Sequence, residues 1–203
     1  PFVLNPQETV SEEQRQKSKD GFVVEQVDGI NGWSGIGMMA VANTRVVRRS
    51  AALMEQNQKS YGSNFTFGEH GLFSTKRMAR LASYGSILAF LVIGTPLKYL
   101  VRPFLLKPGQ GPSQETQDKG WFRATFVAHS EDNERKICSM YGSGDPGYKS
   151  TAKMVCESAI ALARSNDLPG GSEYGGVLTS AVGLGDVLIE RLKNAEIEFK
   201  VIS

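Results

Sequence analysis

Gly142, Gly144 and Gly147 form a GxGxxG string between an alternating apolar segment and a helical one. Such a loop can aim backbone N–H groups at a pyrophosphate on a helix N-terminus, and Asp167 follows about 20 residues on, as a dinucleotide fingerprint asks. Two features argue against that chemistry. The preceding stretch RKICSMY reads as the second arm of a hairpin, not as a buried parallel strand, and Pro146 removes an N–H donor from the loop. The string is therefore read as a Gly-rich turn with Asp145 favoured near the helix start. No cofactor-binding residue is expected in this chain.

Arg45, Arg48 and Arg49 stand at i, i+3 and i+4 of a helical segment. On one face their guanidiniums could bind a phosphate or carboxylate; a solvated face with internal ion pairs is the alternative. His70 follows Glu69, but neighbours in sequence seldom point the same way, and His129 sits at a strand end beside a polar turn. With these two histidines, two cysteines (Cys138 and Cys156) and no CxxC, no metal site is expected. Both cysteines fall on apolar stretches and read as buried, inert thiols of a reducing compartment. No Ser/His/Asp set, Walker loop or carboxylate pair is present, so no catalytic residue is assigned.

The elements that would position these residues read as α+β: an antiparallel-rich sheet with packed helices, plus an apolar membrane-associating segment. FVVEQV at Phe22–Val27 predicts a short strand, Gly29 to Gly37 a turn-rich loop that includes Trp33, and residues 40–56 a helix. Phe65 and Phe67 alternate with Thr66 as a further short strand. Trp121–His129 and Arg135–Tyr141 alternate as two arms around the turn HSEDNE. From Lys149 to Arg164, Ala152, Val155, Cys156, Ala159, Ile160 and Ala163 recur at helical spacing and predict the buried face of a strong helix. A short strand at 175–180, a helix over 184–195 and a last strand at 197–202 follow. Domain boundaries are expected at 1–75, 76–107 (the membrane-associating segment), 108–120 (a linker by composition) and 121–203.

The chain has 203 residues and a net charge of +2, which argues for no nucleic-acid partner. Its charge is unevenly placed. Between Glu69 and Glu115 there is no acid, while Lys76, Arg77, Arg80, Lys98, Arg102 and Lys107 contribute +6 and leave −4 for the remainder. Inside this stretch Leu81–Leu97 is a run of 17 uncharged residues, at the lower limit for a membrane span of about 17. Pro96 would end a helix near its C-terminal edge. Basic flanks and an apolar continuation suggest in-plane or re-entrant membrane contact, with Ile87, Leu88, Leu91, Val92 and Phe104 facing lipid; a buried core helix is the alternative. The chain opens on Pro1 without a secretory segment and reads as a fragment or processed product.

NTRVVRRS (43–50), KPGQGPS (107–113), GDPGYKSTAKMVCESAIALA (144–163), LPGG (168–171), GGVLTSA (175–181) and IERLKNAEIEFKVIS (189–203) occur in order. On these strings the chain resembles the saccharopine dehydrogenase-like oxidoreductases, a group taken to include animal lipid-droplet members and bacterial trans-acting enoyl reductases. The resemblance implies the C-terminal half of an NAD(P)-linked oxidoreductase whose N-terminal Rossmann domain is missing from this chain. No cofactor is expected to bind to the chain alone. The resemblance further implies intracellular membrane association, at a lipid droplet, the endoplasmic reticulum or mitochondria. The missing domain or other subunits of a membrane complex would be its partners. The alternative is a non-catalytic structural or anchoring subunit of such a complex.

Overall fold

The computed structural model describes residues 2–6, 10, 12–18, 21–62, 64–105, 107, 109–132, 134–170 and 175–202, apart from the side chains of Lys17, Phe104 and Ser165. The chain divides into two compact units, residues 1–106 and 107–203. Both mix helices with antiparallel strands, and among the described residues no two strands run parallel.

The first unit contains α1 (Glu12–Lys17), β1 (Trp33–Ile36), α2 (Ala40–Gln56), β2 (His70–Phe73), α3 (Lys76–Gly94) and α4 (Lys98–Val101), the last running into a 3-10 turn at Arg102–Phe104. β1 and β2 pair antiparallel from Trp33 opposite Phe73 to Ile36 opposite His70. A four-residue ribbon is marginal by itself and needs a covering element. α3 supplies it through Ala79 and Ser83, both with no exposed surface. The approach is close because Gly35 has no side chain: a Cβ there would lie 2.9 Å from the Ser83 hydroxyl and 2.8 Å from the Phe73 ring. That hydroxyl accepts a hydrogen bond from the Ile36 N–H at 2.9 Å.

Local chemistry sets the ends of α3. Thr75 caps its start by accepting the Met78 N–H at 3.2 Å. At the other end Thr95, which precedes Pro96, is extended (φ −119°, ψ 171°), because proline disfavours a helical residue before it. Residues 22–27, expected as a strand, form only a single bridge, Gln26 to Trp33. The strand expected around Phe65–Phe67 lies instead at 70–73. Trp33, placed in a loop by its glycine neighbours, begins β1.

The second unit contains α5 (Gln114–Lys119), β3 (Trp121–His129), β4 (Arg135–Ser143), α6 (Lys149–Ala163), a 3-10 turn at Ser165–Asp167, α7 (Ser180–Gly183), α8 (Gly185–Asn194) and β5 (Ile197–Val201). β4 is the central strand, pairing β3 from His129–Arg135 to Trp121–Ser143 and β5 from Cys138–Val201 to Gly142–Ile197. Ile137, Ala161, Val182, Leu184, Leu192 and Ile197 form the buried apolar core. α6 and α8 are joined by Arg191 Nη2 and Glu157 Oε2 at 2.7 Å.

Three expectations are corrected in this unit. Residues 114–119, read as linker, are a helix capped by the Ser113 hydroxyl, which accepts the Thr116 N–H at 3.2 Å. No strand forms among the described residues of 175–180; a loop leads into α7. On α6 the stripe expected to be buried is turned outward: Val155 is 61 % and Ile160 45 % exposed, and Cys156, expected as a buried thiol, is exposed with them, while Ser150 and Ala161 are fully buried. Small side chains let α6 come close to its neighbours, and the larger aliphatics are left on the far side.

Within the expected membrane segment, α3 is long and apolar enough to cross a bilayer by length and composition alone. Ile87, Leu88 and Leu91 are exposed and Val92 is half-buried. The side chain of Phe104, the fifth residue expected to face lipid, lies outside the described residues.

Candidate functional site

In the first unit a cleft of about 800 Å³ opens where the start of α2 meets the segment leading into β2. Its lining includes Ile36, Gly37 and residues 38–42, residues 66–70, and the rings of Phe22 and Phe90. Apolar side chains dominate, and several are unusually open to solvent: Met38 at 75 %, Met39 at 59 % and Phe90 at 58 %. Clefts of this size and lining are the ordinary form of small-molecule sites. The N-terminus of α2 opens here without a side-chain cap; backbone carbonyls serve its first turn instead, Gly37 accepting the Ala40 N–H at 3.2 Å and Met39 the Ala42 N–H at 2.9 Å.

The structure sends the three arginines to different places. Arg48 is a buried part of the cleft lining, its Nη2 donating to the Phe67 carbonyl at 3.1 Å and its guanidinium 5.3 Å from the Phe2 ring centroid. Asn5 donates to the Arg48 carbonyl at 3.4 Å, so Arg48 knits the N-terminal segment and the 66–68 wall to α2. Arg49 donates to the Leu4 carbonyl and is not part of the cleft lining. Arg45 is the half-exposed cation of the lining, its guanidinium donating to the Val41 carbonyl one turn back.

Glu69 and His70 both line the cleft. Adjacency in sequence argued that they would diverge; His70 opens β2 while Glu69 still belongs to the loop before it, so strand alternation does not separate them. Met38 and Met39 were not foreseen. The available signal was two large apolar side chains at a helix start, ahead of the helical period that would bury them. His129 ends β3, far in sequence from this cleft.

The GxGxxG string has a different geometry from a phosphate cradle. Gly142 lies within β4, where a Cβ would stand 2.4 Å from the Phe122 ring and 2.8 Å from Ile197. Gly144 has φ +90°, the left-handed region that favours glycine. Beyond it the amides are taken. Asp145 Oδ2 accepts the N–H groups of Gly147 at 3.1 Å and Tyr148 at 3.2 Å, and Oδ1 accepts that of Lys149 at 3.1 Å. The donors a pyrophosphate would need already hold a carboxylate of the chain itself, so these residues do not fit a nicotinamide dinucleotide. Asp167, the distant acid of the fingerprint, pairs with Arg164 at 3.9 Å.

Lys149 Nζ lies 2.6 Å from Asp118 Oδ1, tying the start of α6 to α5. This bond, with a second from Gln114, holds the Asp118 carboxyl below the usual carboxylate range. Among the described residues no group of three or more His, Cys, Asp or Glu side chains could hold a metal ion.

Comparison with known proteins gives one consistent set of relatives. A Mycobacterium tuberculosis protein provisionally named a trans-acting enoyl reductase is 33% identical over 176 residues, 83% of this chain and 41% of its own length. The trans-acting enoyl reductases of Mycobacterium bovis and Mycobacterium ulcerans are 33% and 34% identical over 172 and 169 residues. Those matches cover 80% and 79% of this chain and 40% and 39% of the relatives. The chain thus spans about 41% of the length of the relatives it matches. No family model matches it, and no solved structure does.

These names correct the resemblance drawn from the sequence. The relatives are trans-acting enoyl reductases, not saccharopine dehydrogenase-like proteins. The lipid-droplet and membrane attachment that came with the wider assignment, and the anchoring subunit set beside it, lose that support. α3 keeps only its length and composition, and Ala79 and Ser83 are its buried residues.

Proposed function

We propose that the chain is part of an enoyl reductase and that the cleft of its first unit receives the apolar acyl portion of the substrate. The observation that carries this reading is the open apolar lining of Met38, Met39 and Phe90 beside Arg45. The relatives supply the reaction class. Reduction of a double bond conjugated to an acyl carbonyl needs a hydride at the β-carbon and a proton at the α-carbon. A nicotinamide cofactor is the usual hydride donor for this chemistry, and a polypeptide beyond this chain would have to bind it. The part played by these residues is to desolvate and orient the acyl group. The Arg45 guanidinium is suited to polarising its carbonyl oxygen.

The test is a titration of trans-2-dodecenoyl coenzyme A against the purified chain and its Met39→Glu variant. A carboxylate at this exposed position leaves the core untouched but opposes an apolar ligand. Saturable binding that weakens at least tenfold in the variant is expected, a change of about 1.4 kcal/mol. Absence of binding, or equal binding to both proteins, would sink the reading.

A further inference from the structure

From Ile87 onward α3 has no polar face. Every residue from Ile87 to Ile93 is apolar, nearly two full turns, and Leu88 and Leu91 are 63% and 60% exposed. A helix that is apolar all round is normally enclosed on all sides. Here the hairpin covers only Ala79 and Ser83, in the helix's first half.

The charges around this helix say what could enclose it. Lys76, Arg77, Arg80, Lys98 and Arg102 flank it, and within residues 70–106 there is no acid. Among the described residues none of the five makes an ion pair; Lys76 and Lys98 lie over the rings of Trp33 and Tyr99, at 5.0 and 5.4 Å. A second copy is a poor occupant, since either pairing direction brings cations of one copy against cations of the other. A bilayer is also a poor match. The whole of α3 is long enough to cross one, but Ala79 and Ser83 pack on the hairpin, and residues 85–94 alone project about 15 Å, half of a hydrocarbon core of about 30 Å.

We propose that the second half of α3 is a docking element for a separate acidic protein, which offers apolar surface to Leu88 and Leu91 and carboxylates to Arg77 and Arg80. The charge complement stands on its own. The cargo rests on the enoyl-reductase reading: such a partner would be a carrier that presents a tethered enoyl group in trans. Apolar contact gives the affinity, and the five cations give steering and salt dependence.

The probe is an acyl carrier protein of net negative charge, loaded with a trans-2-dodecenoyl group and titrated against the purified chain by fluorescence anisotropy. Saturable binding is expected at 50 mM salt, weakened at least tenfold at 300 mM and at least tenfold by Arg77→Glu/Arg80→Glu or by Leu88→Asp/Leu91→Asp. These four positions are exposed, and unchanged circular dichroism verifies the fold. Binding of free dodecenoyl coenzyme A should survive the Arg77→Glu/Arg80→Glu change, which separates failure of the docking site from failure of the cleft.

No saturable binding of the carrier, or equal binding by the variants, would overturn the proposal. It would also be overturned if the chain dimerised through Leu91, or if phosphatidylglycerol vesicles bound it and the carrier did not. Cysteine labelling supplies a last check. Protection of Leu91→Cys without carrier, in a polypeptide of the relatives' full length, would show the face covered from within and defeat the idea.

Discussion

α3 and α6 solve the same packing problem with the same residues and arrive at different strengths. Each turns small side chains inward, Ala79 and Ser83 in one, Ser150 and Ala161 in the other, all fully buried. Each leaves its large aliphatics outside, Leu88 and Leu91 on α3, Val155 and Leu162 on α6. The second unit then adds what the first lacks. α6 is locked to α8 by the Glu157–Arg191 pair and to the sheet by Ser150, whose hydroxyl lies 3.0 and 2.9 Å from the carbonyls of Ser143 and Gly144. α3 rests on a two-stranded ribbon through one side-chain hydrogen bond from its buried face. Close approach through small residues positions a helix; it does not by itself use up the helix's apolar surface.

The largest effect should come from blocking that close approach. Ser83→Leu forces four carbons against Gly35 and the Phe73 ring and deprives the Ile36 N–H of its acceptor. Overpacking and the lost bond together should cost about 3 kcal/mol. The change should appear as a lower urea midpoint for the first unit, read through Trp33 fluorescence. A midpoint equal to wild type would mean that the ribbon, not α3, holds this unit together.

A smaller loss is expected on the other side of the comparison. Arg191→Met removes one partner of a pair whose side chains are both only 22% exposed, and should destabilise the second unit by about 2 kcal/mol. Glu157→Gln/Arg191→Met should recover part of that loss in a double-mutant cycle. Simple additivity would show that the two side chains do not couple.

The smallest effect concerns pH. The Asp118 carboxyl is held low, first by its bond to Lys149, so it binds protons more weakly folded than unfolded. Its contribution is therefore present above an unfolded value of about 3.9 and fades as pH falls through the lower folded value. Both partners are about half exposed, so salt screens the effect and it stays slight. In an NMR titration Lys149→Met should raise the Asp118 midpoint. An unmoved midpoint would remove the link between α5 and α6 from the account.

What the sequence made legible follows from which signals were local. The β3–β4 hairpin was readable because alternation over Trp121–His129 and Arg135–Tyr141 flanks a polar turn, although the second arm runs on to Ser143. The helix at 40–56 appeared with the bounds expected of it. The inward face of α6 was misjudged because hydropathy gives little weight to Ser150 and Ala161, the residues that permit contact. α5 was hidden by polar composition. Its place is set by the backbone, with the N–H groups of Gly144 and Asp145 donating to the carbonyls of Gly120 and Gln117. The cleft was illegible as a unit because its walls come from segments some thirty residues apart, although Arg45 and Arg48 had been singled out.

The Asp145 carboxylate has a consequence for how such loops are recognised. It acts as a tethered anion, bonded to three consecutive amides at the head of a helix, where a free phosphate would otherwise sit. Because it cannot diffuse away, its effective concentration exceeds that of any dissolved competitor at millimolar levels. A pattern of glycines records only where the backbone passes close to a neighbour or turns left-handed, here against the Phe122 ring at Gly142 and with φ +90° at Gly144. Here the lock was made with its key already inside.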